Sequence, residues 1–103
     1  MAWTQLQWQT RLRTLASDHS NIAWTDHARM QLRCRDISMD MAIDVISKGS
    51  IHMAPELDIR TGHTVCRMER FCAGKHLAIC VALESQTSSR CIIVTVMERK
   101  IRQ

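Results

Sequence analysis

The hydrophobic repeat changes its period near residue 50, and that change constrains the fold more than any motif does. Before it, apolar residues recur at helical spacing: Trp8, Leu12 and Leu15 fall at i, i+4 and i+7, the pattern of a helix with one buried stripe. After Ser50 the period drops to two. From Thr64 to Phe71, Cys66 and Met68 alternate with Val65, Arg67 and Glu69, as in a half-buried strand. Helices first and hairpin-linked strands afterwards make an α+β domain, because the helices can bury their stripes only against the sheet. The expectation is two or three N-terminal helices packed on a three- to four-stranded antiparallel sheet.

The first helix is predicted over residues 2–18. Trp3 and Leu6 lie off its main stripe, so they either widen the buried face or offer a dimer contact. Asp18-His-Ser-Asn21 is a polar break. Thr25 caps a second helix running to Arg35, with Asp26 in the first turn where the dipole favours an acid. On it His27, Met30, Gln31 and Cys34 share one face, while Arg29 and Arg33 form an i, i+4 pair on another. Ser38 caps a third helix, with Ile37 and Ala42 placed as a hydrophobic staple. Met41, Val45 and Ile46 are its expected buried stripe, and Gly49 stands where a C′ glycine ends a helix. Ile51 to Arg60 carries Pro55 and is at best an edge or bulged strand. Thr61-Gly62-His63 is a turn, Ala73-Gly74-Lys75 closes a hairpin into His76 to Glu84, and Ser85 to Ser89 leads into Arg90 to Met97. The last two strands are apolar on both faces, as central strands beneath helices are.

At 103 residues the chain fits one domain, divided here into a helical extension (1–21) and an α+β domain (22–103). Apolar residues at 46% supply a core and exclude disorder. The longest apolar runs, Leu77 to Leu83 and Cys91 to Met97, are too short to span a bilayer. Met1-Ala-Trp-Thr-Gln-Leu6 has no basic n-region of a secretory signal, and no membrane partner is expected. Cys34, Cys66, Cys72, Cys80 and Cys91 are odd in number and irregular in spacing. That favours free thiols, most of them in the core, in a reducing cytoplasm over a disulfide framework. There is no Cys-x-x-Cys, and His19, His27, His52, His63 and His76 are scattered, so neither a structural metal nor a cofactor is expected. Dinucleotide, P-loop, serine-hydrolase and common zinc-protease motifs are all missing.

The net charge of +4 is unevenly placed. Arg29, Arg33 and Arg35 crowd one helix, Arg67 and Arg70 share one strand, and Arg99, Lys100 and Arg102 close the chain. Such a balance suits a polyanionic partner such as RNA, and equally a merely soluble domain. His27 can act as general acid or base, because imidazole titrates near neutral pH, or it can simply pack on its stripe. Arg35 can clamp a phosphate or satisfy terminal carbonyls. Arg29 and Arg33 are a solvated face or phosphate contacts. Arg67 and Arg70 point to opposite sides of their strand, so both cannot serve one sheet face. Thr95 interrupts Ile92-Ile-Val-Thr-Val-Met97, either as a good β-former or as a hydroxyl orienting a ligand. His63 and His76 sit at strand ends, where exposure is the default. Phe71, Trp24, Trp3 and Trp8 are the only aromatics and give weak support for base stacking.

The stretch Thr25-Asp-His-Ala-Arg-Met-Gln-Leu-Arg-Cys-Arg-Asp-Ile-Ser38, followed by Val45-Ile-Ser-Lys-Gly-Ser-Ile51, resembles the bacterial family called domain of unknown function 4258. The shared pattern is His27-Ala28, Arg35 with Ile37-Ser38, Gly49 with Ile51, and the strand Ile92 to Thr95. The resemblance spans residues 22 to 98. Members often carry Arg where this chain has Gln31, and Gly where it has Asp36. The family is similar in layout to the barnase, colicin and RelE class of small nuclease toxins. That likeness implies toxin-like, metal-independent RNA cleavage without a cofactor, with His27 as acid or base, Arg35 as phosphate clamp and Thr95 as positioning group. Arg29, Arg33, Arg67 and Arg70 would then bind RNA phosphates, and an antitoxin or other protein would be a further partner. This is fold-level analogy. The competing reading is a non-catalytic protein-interaction or dimerisation module, forming a homodimer through the Trp-bearing first helix. The first reading needs His27, Arg35 and Thr95 in one basic cleft; the second needs His27 and Arg35 buried, with apolar surface around Trp3 and Trp8.

Overall fold

The computed structural model describes residues 3–99. Its elements run α1 (Gln5–Ala16), a one-turn 3-10 helix (His19–Asn21), β1 (Ile22–Trp24), α2 (Asp26–Cys34), α3 (Met39–Lys48), β2 (Ser50–Ile51), β3 (Glu56–Leu57), β4 (Thr64–Cys72), β5 (Lys75–Leu83) and β6 (Cys91–Arg99). The expected α+β layout is present, with the long antiparallel strands β4, β5 and β6 as the body of the sheet. Three short strands extend it: β1 pairs parallel with β6, and β2 and β3 both pair with β4. The mixed sheet thus has six strands in the order β1-β6-β5-β4-β2, with β3 alongside β4. Around Pro55 the expected edge strand is reduced to two fragments of two residues each.

Helix ends are set by side chains that satisfy orphan backbone donors. Thr4 caps α1 in a capping box, with Gln7 N donating to Thr4 Oγ1 (3.2 Å) and Thr4 N donating to Gln7 Oε1 (2.8 Å). Thr25 and Ser38 cap α2 and α3 as expected, accepting from Ala28 N and Met41 N. At the other end of α2, Ile37 N donates to Leu32 O (2.9 Å) and Asp36 N to Arg33 O (3.4 Å), a Schellman closure. It puts Asp36 in the left-handed region, at φ 53°, a conformation that glycine adopts without steric cost. Gly49 does end α3, but its φ of −76° is ordinary. Glycine is needed for close approach instead, since a Cβ would collide with Val45 O and lie 2.8 Å from Glu69 O.

One face of the sheet carries the main apolar core. Cys66, Met68, Leu77, Ile79, Val81, Leu83, Cys91, Ile93 and Val96 share a core with Trp8, Leu12, Leu15, Leu32, Ala42, Val45 and Ile46 from the helices. The first helix therefore contributes to the common core through Trp8, while Trp3 packs partly against Trp8 and Leu6 is 67% exposed. On α3 the buried residues are Ala42, Val45 and Ile46, with Met41 only half-buried. Of the cysteines, Cys66 and Cys91 are buried, Cys72 and Cys80 half-buried and Cys34 exposed, all as free thiols. Burial pushes the Cys66 thiol up to about 12 and that of Cys91 up to about 11, so both behave as small hydrophobes. Among the described residues, no helix is long and apolar enough to cross a membrane.

The hairpin between β4 and β5 sets the register of the opposite face. Ala73 and Gly74 take φ of 52° and 80°, the left-handed pair of a two-residue type I′ turn. Counting back from Cys72↔Lys75, the pairs are Phe71↔His76, Glu69↔Ala78 and Arg67↔Cys80. On the other side of β5, His76 faces Arg99, Ala78 faces Met97 and Cys80 faces Thr95. Val81 faces Ile93, so Val94 is an extra, bulged residue. The open face therefore presents cross-strand rows: Phe71–His76–Arg99, Glu69–Ala78–Met97 and Arg67–Cys80–Thr95.

Candidate functional site

The second helix buries Ala28, Gln31 and Leu32. The expected stripe is corrected by one residue, leaving His27, Met30 and Cys34 exposed beside Gln31. Gln31 is buried for a reason the period hides. Strand β1 stops at Trp24, so the edge of β6 beyond Ile93 has no strand partner. Gln31 Oε1 takes over, accepting from Val96 N at 2.7 Å. An arginine, which has no acceptor, cannot fill that role.

The sequence-predicted residues fall in several places. His27 is exposed on α2, Arg35 is exposed at its C-cap, and Thr95 is half-buried on the open sheet face. Among the described residues, five clefts can be outlined, and none of the three lines any of them. Arg29 and Arg33 line an open cleft of about 370 Å³ with Leu32, Asp36, Ile37, Ser38 and Met39. Arg70 points to the helix side, where it pairs with Asp44 of α3 at 3.0 Å. Arg67 points to the open face, as strand alternation requires. Lys100 and Arg102 lie outside the described residues. Lys75 Nζ donates to Arg35 O (3.2 Å) and Asp36 O (3.1 Å), tying the end of α2 to the hairpin that carries His76.

The densest polar cluster is on the open face, around a residue that sequence reasoning set among the outward positions. The Glu69 side chain is only 3% exposed. Its Oε1 accepts from Arg99 Nη1 at 2.8 Å and meets His76 Nε2 at 3.3 Å. Its Oε2 lies 3.8 Å from Arg67 Nε, a buried atom with no hydrogen-bond partner among the described residues. Burial pushes the Glu69 carboxyl up, but hydrogen bonds from Arg99 and His76 and the charges of Arg67 and Arg99 outweigh it. The carboxyl titrates below its usual range, and is ionised at neutral pH. An ionised carboxylate only accepts, so Nε2 of His76 is the donor of this pair, and when the ring is neutral Nδ1 is left as an acceptor. Two guanidiniums face one carboxylate, so the cluster keeps a positive surplus. Ala78, opposite Glu69, is small enough for Arg99 to reach across β5.

A cleft of about 160 Å³, lined by Met53, Ala54, Glu56, Val65, Arg67 and Cys80, adjoins this cluster through Arg67. Chemically, the face offers a half-exposed imidazole held by a buried carboxylate that also meets two arginines, with Thr95 two cross-strand rows away. Among the described residues, no group of three or more His, Cys, Asp or Glu is placed to hold a metal ion.

The model of the family described as Domain of unknown function (DUF4258) matches residues 24–98. The chain belongs to that family. No curated protein and no solved structure matches it. The DUF4258 match takes in α2, α3 and the strands except most of β1 and the last residue of β6, Arg99, and with them His27 and Arg35 as well as Arg67, Glu69 and His76. The DUF4258 segment thus contains His27, Arg35 and Thr95 and three members of the open-face cluster, whose fourth member, Arg99, lies one residue beyond the match; only the open-face residues are joined by hydrogen bonds and ion pairs.

Proposed function

We propose that this protein recognises RNA phosphates on the open face of its sheet and cleaves the RNA without a metal. The observation that carries the reading is the bonded cluster of Glu69, His76, Arg99 and Arg67. Cleavage needs a group to take the 2′-hydroxyl proton and a positive field for the phosphate. His76 Nδ1 takes the proton, the 2′-oxygen attacks phosphorus, and the 5′-oxygen departs, leaving a 2′,3′-cyclic phosphate and a 5′-hydroxyl. The imidazolium returns its proton to the departing oxygen. Arg67 and Arg99 carry the phosphate charge, and the fork of a guanidinium matches phosphate geometry. Glu69 is a positioning residue that fixes the tautomer of His76 and the pose of Arg99. Thr95, in the row of Arg67 and Cys80, stands beside this surface; His27 and Arg35 stand apart from it, on α2.

The test is incubation of the purified protein with single-stranded RNA in excess EDTA. Cleavage giving cyclic-phosphate ends is expected, with at least about a hundredfold loss in His76→Ala and little change in His27→Ala. The absence of both cleavage and binding at low salt would sink the reading. Loss in His27→Ala with His76→Ala still active would move the chemistry to α2.

The competing interaction reading has one supporting feature, a shallow cleft of about 360 Å³ on α1 lined by Trp3, Leu6, Gln7, Thr10, Arg11 and Thr14. Of its two tryptophan anchors, Trp8 is only 7% exposed. The burial of His27 and Arg35 that it requires is not found.

A further inference from the structure

The open face carries one aromatic residue that neither the core nor the proton chemistry uses. Phe71 is 63% exposed, although the residues on either side of it, Arg70 and Cys72, are partly buried on the helix face. It is the chain's only phenylalanine. The hairpin register places it directly opposite His76, and His76 directly opposite Arg99. One row across three neighbouring strands therefore holds an aromatic face, a half-exposed imidazole and a guanidinium. Adjacent strands lie about 5 Å apart, and directly opposed side chains stand within contact reach of each other. A nucleotide has the same succession of parts: a flat base, a ribose bearing the 2′-hydroxyl, and a phosphate.

Resting on the ribonuclease reading above, we propose that Phe71 is a base-stacking residue which restricts this site to single-stranded RNA. A base on the ring of Phe71 would set its ribose beside His76 and its phosphate toward Arg99 and Arg67. The positive surplus of the cluster complements the phosphate, and the ring is continuous with the cluster along its row. A base within a duplex has both faces stacked and cannot also stack on Phe71. Every base offers a π face, so the contact selects for strandedness and tolerates sequence.

The experiment uses the full chain and a short, fully 2′-O-methylated oligonucleotide, which binds but cannot be cut, with anisotropy read at low salt. Wild type is expected to bind the single strand more tightly than the same sequence in a duplex. Phe71→Ala is expected to weaken single-strand binding about tenfold, and Phe71→Trp to restore it. A set of oligonucleotides carrying one abasic nucleotide at successive positions supplies the second arm. One position should weaken wild type by a similar factor and leave Phe71→Ala unaffected. If wild type binds no oligonucleotide and cuts no RNA, the ribonuclease reading fails and this inference falls with it. If wild type binds or cuts while Phe71→Ala matches it on every oligonucleotide, the stacking role alone is overturned.

Discussion

The two faces of this sheet are built from the same three long strands and bury residues by opposite means. On the covered face, Met68, Ile79, Val81 and Val96 are fully buried by the helices, in contact with other apolar side chains. On the open face Glu69 and Ala78 reach similar burial, at 5% and 0% exposed, yet both lie outside the apolar core. They are covered by long polar side chains reaching along and across the strands, among them Arg99 and His76. The first mode is non-directional and depends on area. The second is directional and depends on charge, so it responds to pH and gives way to a competing anion. A surface held together in that way can be opened by a ligand without disturbing the core.

The largest expected effect comes from the covered face. Ile79→Ala should cost about 3 kcal/mol in denaturant unfolding, through lost transfer energy and the cavity left behind. A cost below about 1 kcal/mol would mean that the helices do not pack on β5 as described. Glu69→Gln should cost less, about 1–2 kcal/mol at neutral pH, because two guanidiniums lose their counter-charge while solvent still reaches them. The pH dependence separates the two faces. Since the folded Glu69 carboxyl titrates below its ordinary value of 4.5, its contribution is fully present above that value. It is lost as pH falls through the lower folded value. The gap between wild type and Glu69→Gln should therefore narrow on acidification below the carboxylate range, while the gap caused by Ile79→Ala persists. Parallel behaviour of the two variants would break the distinction between the faces.

Much of the covered face can be read from the sequence, and little of the open one. Thr25 and Ser38 announce the caps of α2 and α3 because a side-chain oxygen before an apolar repeat has one common use. Ala73-Gly74 likewise announces its turn. The short strands β1, β2 and β3 are set by the free edges they meet rather than by a pattern of their own. The stripe of α2 is misread at His27, Met30 and Cys34: Ala28 and Leu32 are buried in their place beside Gln31, which is held there as an acceptor. Alternation set Glu69 on the correct face, and the usual equation of a charged residue with solvent then hid it. The missing signal was register. With the turn placed at 73–74, Glu69 stands opposite Ala78 and diagonal to His76. Arg99 needed the next step across β5, which depends on the bulge at Val94 and has no mark in the sequence.

The smallest effect is expected at the outer end of the open face, where it decides how the cluster should be understood. Phe71 is mostly exposed, so Phe71→Ala should shift stability by no more than about 0.5 kcal/mol, measured by thermal or denaturant unfolding. If the shift is that small, any change the same variant makes to RNA binding comes from the surface and not from loosening of the fold. A cost near 2 kcal/mol, approaching that of a buried side chain, would instead make Phe71 part of the cover over Glu69 and Ala78. The open face would then be a second, smaller core with a charged centre. Ile79→Ala and Phe71→Ala lie on the same hairpin and differ in which face they strip. The ratio of their costs therefore measures how far the two faces differ in kind.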